Sequence, residues 1–254
     1  MLGRTMKERE NAGMVRLKPS LAIGAILLAT AASAQQSPMS EDLAWKLLEL
    51  GRVIDPPKTA ALYAPMQEKE PYAGVKAERD IKYGPAERHL LDVFAPETAA
   101  NNRPVLIYVH GGAFVGGNKR NPGSPFYDNI MLWATKNGFV GVNTTYRLAP
   151  SSPWPAGAED LASVVKWTTE KIASHGGDPA RIYLMGHSMG GFGAWYLGAK
   201  HAELWAAVAP MSGTTATHDV DVQALKKLPV LVAVGGEEVP TVAASKAKVD
   251  ALKA

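Results

Sequence analysis

Short apolar runs alternate with longer amphipathic segments along most of this chain. Seven runs have the length and composition of buried strands: Lys76–Tyr83, His89–Phe94, Val105–Val109, Phe139–Thr144, Arg181–Met185, Ala206–Met211 and Val230–Val234. Helical spacing marks four later segments: Phe126–Lys136, Glu159–Ser174, Gly191–Lys200 and Val242–Lys253. Strands and helices that alternate after an opening hairpin predict an α/β fold with a mostly parallel sheet and helices on both faces. Active groups in such folds lie at the carboxyl ends of the strands.

The N-terminal third has a different organisation. The pattern predicts an export signal over residues 1–34, with basic residues before the apolar run Leu21–Ala29 and an A-x-A cleavage site that ends at Ala34. That apolar run is too short for a stable membrane anchor. Residues 35–72 are predicted as a short helix over Glu41–Leu50 and a proline-marked connector, and residues 73–254 as the α/β domain.

Charge and composition argue against several classes of partner and agree with the predicted fold. The net charge of +3 lies entirely within residues 1–34, so we expect no nucleic-acid or membrane-surface partner. The chain has no cysteine and no histidine or acidic spacing suited to a metal, and nothing indicates a cofactor. A domain of this size with 46% apolar residues can rely on its core for stability.

The first chemical motif is Gly186-His187-Ser188-Met189-Gly190, between an apolar strand and a helix pattern. A serine on a sharp strand-to-helix turn is exposed and strained, and glycines beside it leave room for the turn. The pentapeptide alone is a weak signal, but this context predicts a nucleophile at Ser188.

The second motif is the turn that begins at His110 and continues through Gly111 and Gly112 to Phe114, directly after the strand Val105–Val109. Turns of this kind present backbone N–H groups to the oxyanion of an acyl-transfer reaction. We expect the amides of Gly112, Ala113 and Met189 to be these donors. His110 is expected to orient the turn rather than to act as a base. The alternative interpretation of the motif is a tight turn after a core strand, with no part in catalysis.

Together these motifs resemble those of the α/β-hydrolases, and within them esterases similar to hormone-sensitive lipase and to feruloyl esterases. The resemblance covers Lys76 to the C-terminus, and its further segments are Leu91–Pro96, Tyr146–Pro150 and Glu159–Leu161. Arg147 and Asp160 are expected to form a structural pair.

The resemblance also implies a triad acid and, later in the chain, a triad histidine. The strand and glycine turn before residue 237 place Glu238 in the acid position, with Glu237 as the alternative. None of the six histidines fits the base, and His218 is the least unsuitable. We therefore expect the last strand, the histidine and the closing helix to follow residue 254 in a longer protein. The alternative is a natural end at Ala254.

The resemblance implies a secreted or periplasmic serine esterase that forms an acyl-serine intermediate. The short connection between Met211 and Leu228 leaves no room for a large lid, which favours short-chain or polysaccharide-linked esters. Two alternatives stay open: a serine peptidase of the same fold, and a hydrolase-like binding protein without turnover.

Overall fold

Six strands form one twisted sheet in the computed structural model, which describes residues 39–52, 55–98, 101–213, 220–235 and 239–253. The strands are β1 (Val75–Lys82), β2 (Leu90–Pro96), β3 (Arg103–Val109), β4 (Val140–Thr144), β5 (Gly177–His187) and β6 (Trp205–Met211). Their order is β1-β2-β4-β3-β5-β6. Both pairings of β2 are antiparallel, and β4, β3, β5 and β6 run parallel. The opening hairpin and the parallel sheet are as predicted.

The predicted strand at Val230–Val234 lies beside β6 but pairs with it at two isolated bridges, from Val208 to Val230 and from Met211 to Ala233. The Leu231 N–H donates to the Val208 carbonyl over 3.0 Å, and the Ser212 N–H donates to the Ala233 carbonyl over 2.7 Å. The segment therefore continues the parallel sheet past β6.

Six helices are assigned within the described ranges: α1 (Glu41–Leu50), α2 (Pro56–Tyr63), α3 (Asp128–Lys136), α4 (Ala156–Lys171), α5 (Met189–Lys200) and α6 (Val239–Lys253). Short 3₁₀ turns are found at Ala64–Met66, Ile172–His175, Ala202–Leu204 and Val222–Lys227. All five predicted helices are present, with ends shifted by up to three residues, and α2 is an additional helix.

Strand β3 shows why both faces of the sheet need covering. Successive side chains of a strand point to opposite faces. Val105, Ile107 and Val109 join the core cluster that contains residues of α4 and α5, whereas Leu106 and Tyr108 join the cluster that contains residues of α3. The strand is buried on both faces, as expected for a parallel sheet between helices.

The predicted connector after Gly51 is wrong in one respect, because it contains helix α2. Pro56 is the first residue of α2, where its missing N–H and fixed φ suit a helix start. The Asp55 side chain accepts a hydrogen bond from the Lys58 amide over 3.0 Å, as an N-terminal cap does. The prolines that indicated a connector therefore begin a helix.

The described residues up to Lys58 belong to one compact unit, and those from Thr59 onward to a second, which holds the sheet. Within the described ranges, no helix is both long enough and apolar enough to cross a membrane.

Candidate active site

Ser188 occupies the turn between β5 and α5, where the carboxyl end of a central strand meets a helix N-terminus. Its backbone has φ 55° and ψ −118°, a conformation that costs a non-glycine residue on the order of 1–3 kcal/mol. Two hydrogen bonds hold it there. The Ser188 N–H donates to the Met211 carbonyl over 2.8 Å, and the Ser188 carbonyl accepts from the Phe192 N–H over 3.0 Å. The strained serine predicted from the sequence is therefore present in the structure.

The two glycines that flank Ser188 are both sterically required. A Cβ atom on Gly186 would lie 2.1 Å from the Gly190 carbonyl oxygen. A Cβ atom on Gly190 would lie 2.2 Å from the Val109 carbonyl oxygen, at the end of β3. Side chains at either position would collide with backbone, so this tight turn packs directly against the end of the neighbouring strand.

The glycine turn after β3 contacts the nucleophile turn directly. A Cβ atom on Gly111 would lie 3.0 Å from both the Ser188 Cβ and the His187 carbonyl oxygen. The two motifs are far apart in sequence, but β3 and β5 are adjacent, so their carboxyl ends meet. The turn is closed by the Gly112 carbonyl, which accepts hydrogen bonds from the amides of Val115 and Gly116.

The three amides predicted as oxyanion donors lie on these two turns. Gly112 and Ala113 are exposed, and Ser188 and Met189 are half-buried. Met189 is the first residue of α5, so its N–H has no partner inside the helix. Among the described residues, the N–H groups of Gly112, Ala113 and Met189 all lack a protein acceptor. They are therefore open to an external acceptor.

His110 lies beneath the turn and is fully buried. Its Nδ1 is 2.6 Å from the Gly111 carbonyl oxygen, and its ring stacks on Tyr146 with centroids 4.5 Å apart. The Tyr146 hydroxyl donates to the His110 carbonyl over 3.0 Å. Burial lowers the pKa of His110 to about 4, so the ring is neutral near pH 7. These contacts suit a residue that orients the turn, which is the role expected for it.

No described histidine is hydrogen-bonded to Ser188. His187 is exposed, and His175 and His201 lie near acidic side chains at helix ends. His218, the least unsuitable histidine in the sequence, lies outside the described residues, as do both candidate acids, Glu237 and Glu238. The structure thus brings Ser188 and the three amides together but does not describe the acid.

The segment that follows β4 is fastened by a buried carboxylate. Asp160 accepts hydrogen bonds from the Arg147 amide (2.7 Å), Nε (2.9 Å) and Nη2 (2.7 Å). Burial alone would raise the pKa of Asp160, but these hydrogen bonds outweigh it and the pKa is lowered. The expected Arg147–Asp160 pair is present. The sequence did not indicate that His89 also approaches Asp160, with its Nε2 3.0 Å from Asp160 Oδ1.

The sequence analysis did not predict an aromatic cluster that lies beside the nucleophile turn. It consists of Phe114, Trp154, Phe192 and Tyr196, and five of its ring pairs have centroids 5.1 to 6.2 Å apart. Only Phe192 and Tyr196, one helical turn apart, could have been paired from their spacing. The other two come from separate loops.

A cavity of about 570 Å³ lies between residues 61–72 and residues 120–128, and Ser188 is not among its lining residues. No group of three histidine or acidic side chains in the described ranges could hold a metal ion.

The sheet order, the strained serine between β5 and α5 and the adjoining glycine turn define an α/β-hydrolase fold. The solved structure of esterase B from Lactobacillus rhamnosis has the same fold, with a TM-score of 0.60, 18% identity, and coverage of 84% of this chain and 82% of that one. The BD-FAE family matches residues 91–229, more than half of the sequence. The chain belongs to the BD-FAE family.

Two curated relatives come from Mycobacterium tuberculosis. Esterase LipQ is 39% identical over 114 residues, which cover 44% of this chain and 26% of LipQ. Carboxylesterase NlhH is 35% identical over 115 residues, which cover 45% of this chain and 34% of NlhH. The chain therefore aligns with about a third or less of the length of these relatives.

Proposed function

We propose that this protein is a serine carboxylic-ester hydrolase. Ser188 attacks the ester carbonyl, the amides of Gly112, Ala113 and Met189 hold the resulting oxyanion, and the alcohol leaves to form an acyl-serine. Water then releases the acid. The observation that carries this proposal is the contact between the strained residue Ser188 and the Gly111 turn, because that turn has N–H groups without a protein acceptor.

The oxyanion donors would supply much of the rate. Each preorganised donor of this kind contributes roughly 2.7–4 kcal/mol to transition-state stabilisation. Backbone amides need no reorganisation during the reaction, since the strained turn already holds them in place. In this mechanism, the close packing of Gly111 and Gly190 against backbone atoms keeps the two turns, and with them the oxyanion donors, in fixed positions.

The proton-transfer partners are proposed from the sequence. Glu238 is the proposed triad acid, with Glu237 as its alternative. The proposed base is a histidine, and His218 is the candidate for it in this sequence. Without a base the serine would retain residual catalysis at most, because losing a triad member costs on the order of 10⁶ in kcat.

The proposed substrate class is supported by the relatives and by one feature of the sequence. Curated relatives named esterase and carboxylesterase support a small-molecule ester. Because Met211 and Leu228 are too close in sequence for a large lid, we propose short-chain or polysaccharide-linked esters over long-chain lipids. We also propose export to the periplasm or medium, with cleavage after Ala34, which N-terminal sequencing of the secreted protein would test.

The test uses p-nitrophenyl acetate, butyrate and decanoate together with a fluorophosphonate probe that labels activated serines. We expect labelling of the wild-type protein and faster hydrolysis of the two short esters. Both signals should be lost in Ser188→Ala and kept in Ser163→Ala, a control at a half-buried helix serine whose hydroxyl donates to the Glu159 carbonyl. A wild-type protein that is neither labelled nor active would contradict the proposal and favour the binding protein without turnover.

A further inference from the structure

The turn that carries two of the proposed oxyanion donors is held in an unfavourable conformation. Ala113 has φ 54° and Phe114 has φ 60°, so two consecutive residues with side chains adopt the left-handed region. L-residues rarely do so, since their Cβ approaches the following carbonyl oxygen. Such a conformation persists only where surrounding contacts over-determine it.

Those contacts converge on the side chain of Phe114. Its ring meets Tyr146 edge-on at 5.9 Å between centroids and Phe192 edge-on at 6.2 Å, and Trp154 lies tilted against it at 5.8 Å. Edge-to-face and tilted pairs at these separations are attractive beyond the area they bury. The backbone of Phe114 is also fixed, because its carbonyl accepts from the Ala149 N–H over 2.8 Å.

The partners of Phe114 belong to the other parts of the site. Phe192 follows Ser188 by one helical turn, and its N–H donates to the Ser188 carbonyl. Tyr146 stacks on His110 and donates to its carbonyl, at the base of the glycine turn. A single ring therefore touches both the helix that carries the nucleophile and the support of the oxyanion turn.

We propose that Phe114 is a positioning residue for the oxyanion hole. Its ring holds the Gly112 and Ala113 amides on one turn at a set distance from the Met189 amide on the other. Without the ring, the two left-handed residues relax toward negative φ and the donors lose their alignment. This inference rests on the proposed ester hydrolysis, but it concerns the geometry of the turn, which can be measured separately.

The first arm compares Phe114→Ala and Phe114→Leu with Phe139→Ala in p-nitrophenyl butyrate hydrolysis. Phe139 is a matched control, since it is also half-buried and packs edge-on against Tyr183 at 5.4 Å, in the core cluster on the α3 face of the sheet. Because a lost oxyanion donor costs about 10²–10³ in kcat, we expect Phe114→Ala to lower kcat by about 10- to 100-fold with KM changed less than about threefold. Phe114→Leu should recover most of the loss, and Phe139→Ala should keep kcat within about twofold. Equal losses in both alanine variants, or a change in KM alone, would overturn the proposal.

The second arm measures amide hydrogen exchange of residues 110–118 by mass spectrometry and needs no turnover. We expect faster exchange in this segment for Phe114→Ala and no change there for Phe139→Ala. If Phe114→Ala fails to fold, Phe114→Leu takes its place with a smaller expected increase. Unchanged exchange would overturn the role of Phe114 even if the enzyme is active. Absent turnover in the wild-type protein, together with faster exchange in the variant, would count against the proposed reaction but support the positioning of the turn.

Discussion

Replacing Gly190 by alanine should destabilise the protein, although the same change usually stabilises a helix. Gly190 is the second residue of α5, and its added Cβ would lie 2.2 Å from the Val109 carbonyl oxygen and 2.8 Å from that of His110. The obstacle is backbone, and it cannot move freely. Val109 pairs with Thr144 on one side and with Gly186 on the other, so a shift would disturb β3 between both neighbours.

The size of the effect follows from two opposing contributions. Alanine is favoured over glycine in a helix by about 0.5–1 kcal/mol. Overpacking a rigid site costs about 1–3 kcal/mol, and a clash with backbone atoms belongs at the upper end. We expect a net loss of about 2 kcal/mol in the free energy of unfolding. For a domain of this size, that lowers Tm by about 4–8 °C.

Gly193→Ala is the matched control because it lies on the same helix and is also buried. Its added Cβ would meet Leu161 Cδ1 at 3.7 Å, an ordinary van der Waals contact. We expect Gly193→Ala to raise the free energy of unfolding by about 0.5–1 kcal/mol. Thermal unfolding followed by circular dichroism at 222 nm measures both variants. A Gly190→Ala protein that unfolds at or above the wild-type temperature would refute the steric reasoning.

Two further predictions concern buried ionisable groups. Burial lowers the pKa of His110 to about 4, so below pH 6.5 the unfolded chain binds a proton that the native state does not bind. The free energy of unfolding therefore falls as the pH drops from 6.5 toward 4, by about 3 kcal/mol over the whole range. Tm measured between pH 7 and 4.5 should therefore fall less steeply for His110→Asn than for the wild type, and parallel curves would contradict this assignment. Asp160→Ala should cost about 2–3 kcal/mol in denaturant unfolding, somewhat below the usual loss for a broken buried pair because the Arg147 side chain remains 35% exposed to water. Glu159→Ala, which removes an exposed partner of the same arginine at 3.5 Å, should change stability by less than about 0.5 kcal/mol, and equal losses would show that burial does not decide the outcome.

The sequence determined the order of the elements and the positions of the two glycine turns at the ends of β3 and β5. Apolar runs of strand length and helical spacing are local properties, so β3, β5 and α5 could be predicted from them. The glycines at 111, 186 and 190 were equally informative, because a turn with no room for a Cβ atom requires glycine at that position, and a single residue in the sequence shows it. Local signals failed at α2, where Pro56 and Asp55 are compatible with both a connector and a helix start, and capping by the Asp55 side chain decides between them.

Tertiary structure alone decided which distant groups meet. The contact of Gly111 with Ser188 depends on the pairing of β3 with β5. His89, the buried second partner of Asp160, and the aromatic cluster around Phe114 come from segments whose separations in the sequence follow neither the helical nor the strand period. Side-chain contacts of this kind form only when the strands pair and the loops at the carboxyl ends of the strands pack together. The energy of such a contact depends on the distance between the two side chains, which the order of residues along the chain does not specify.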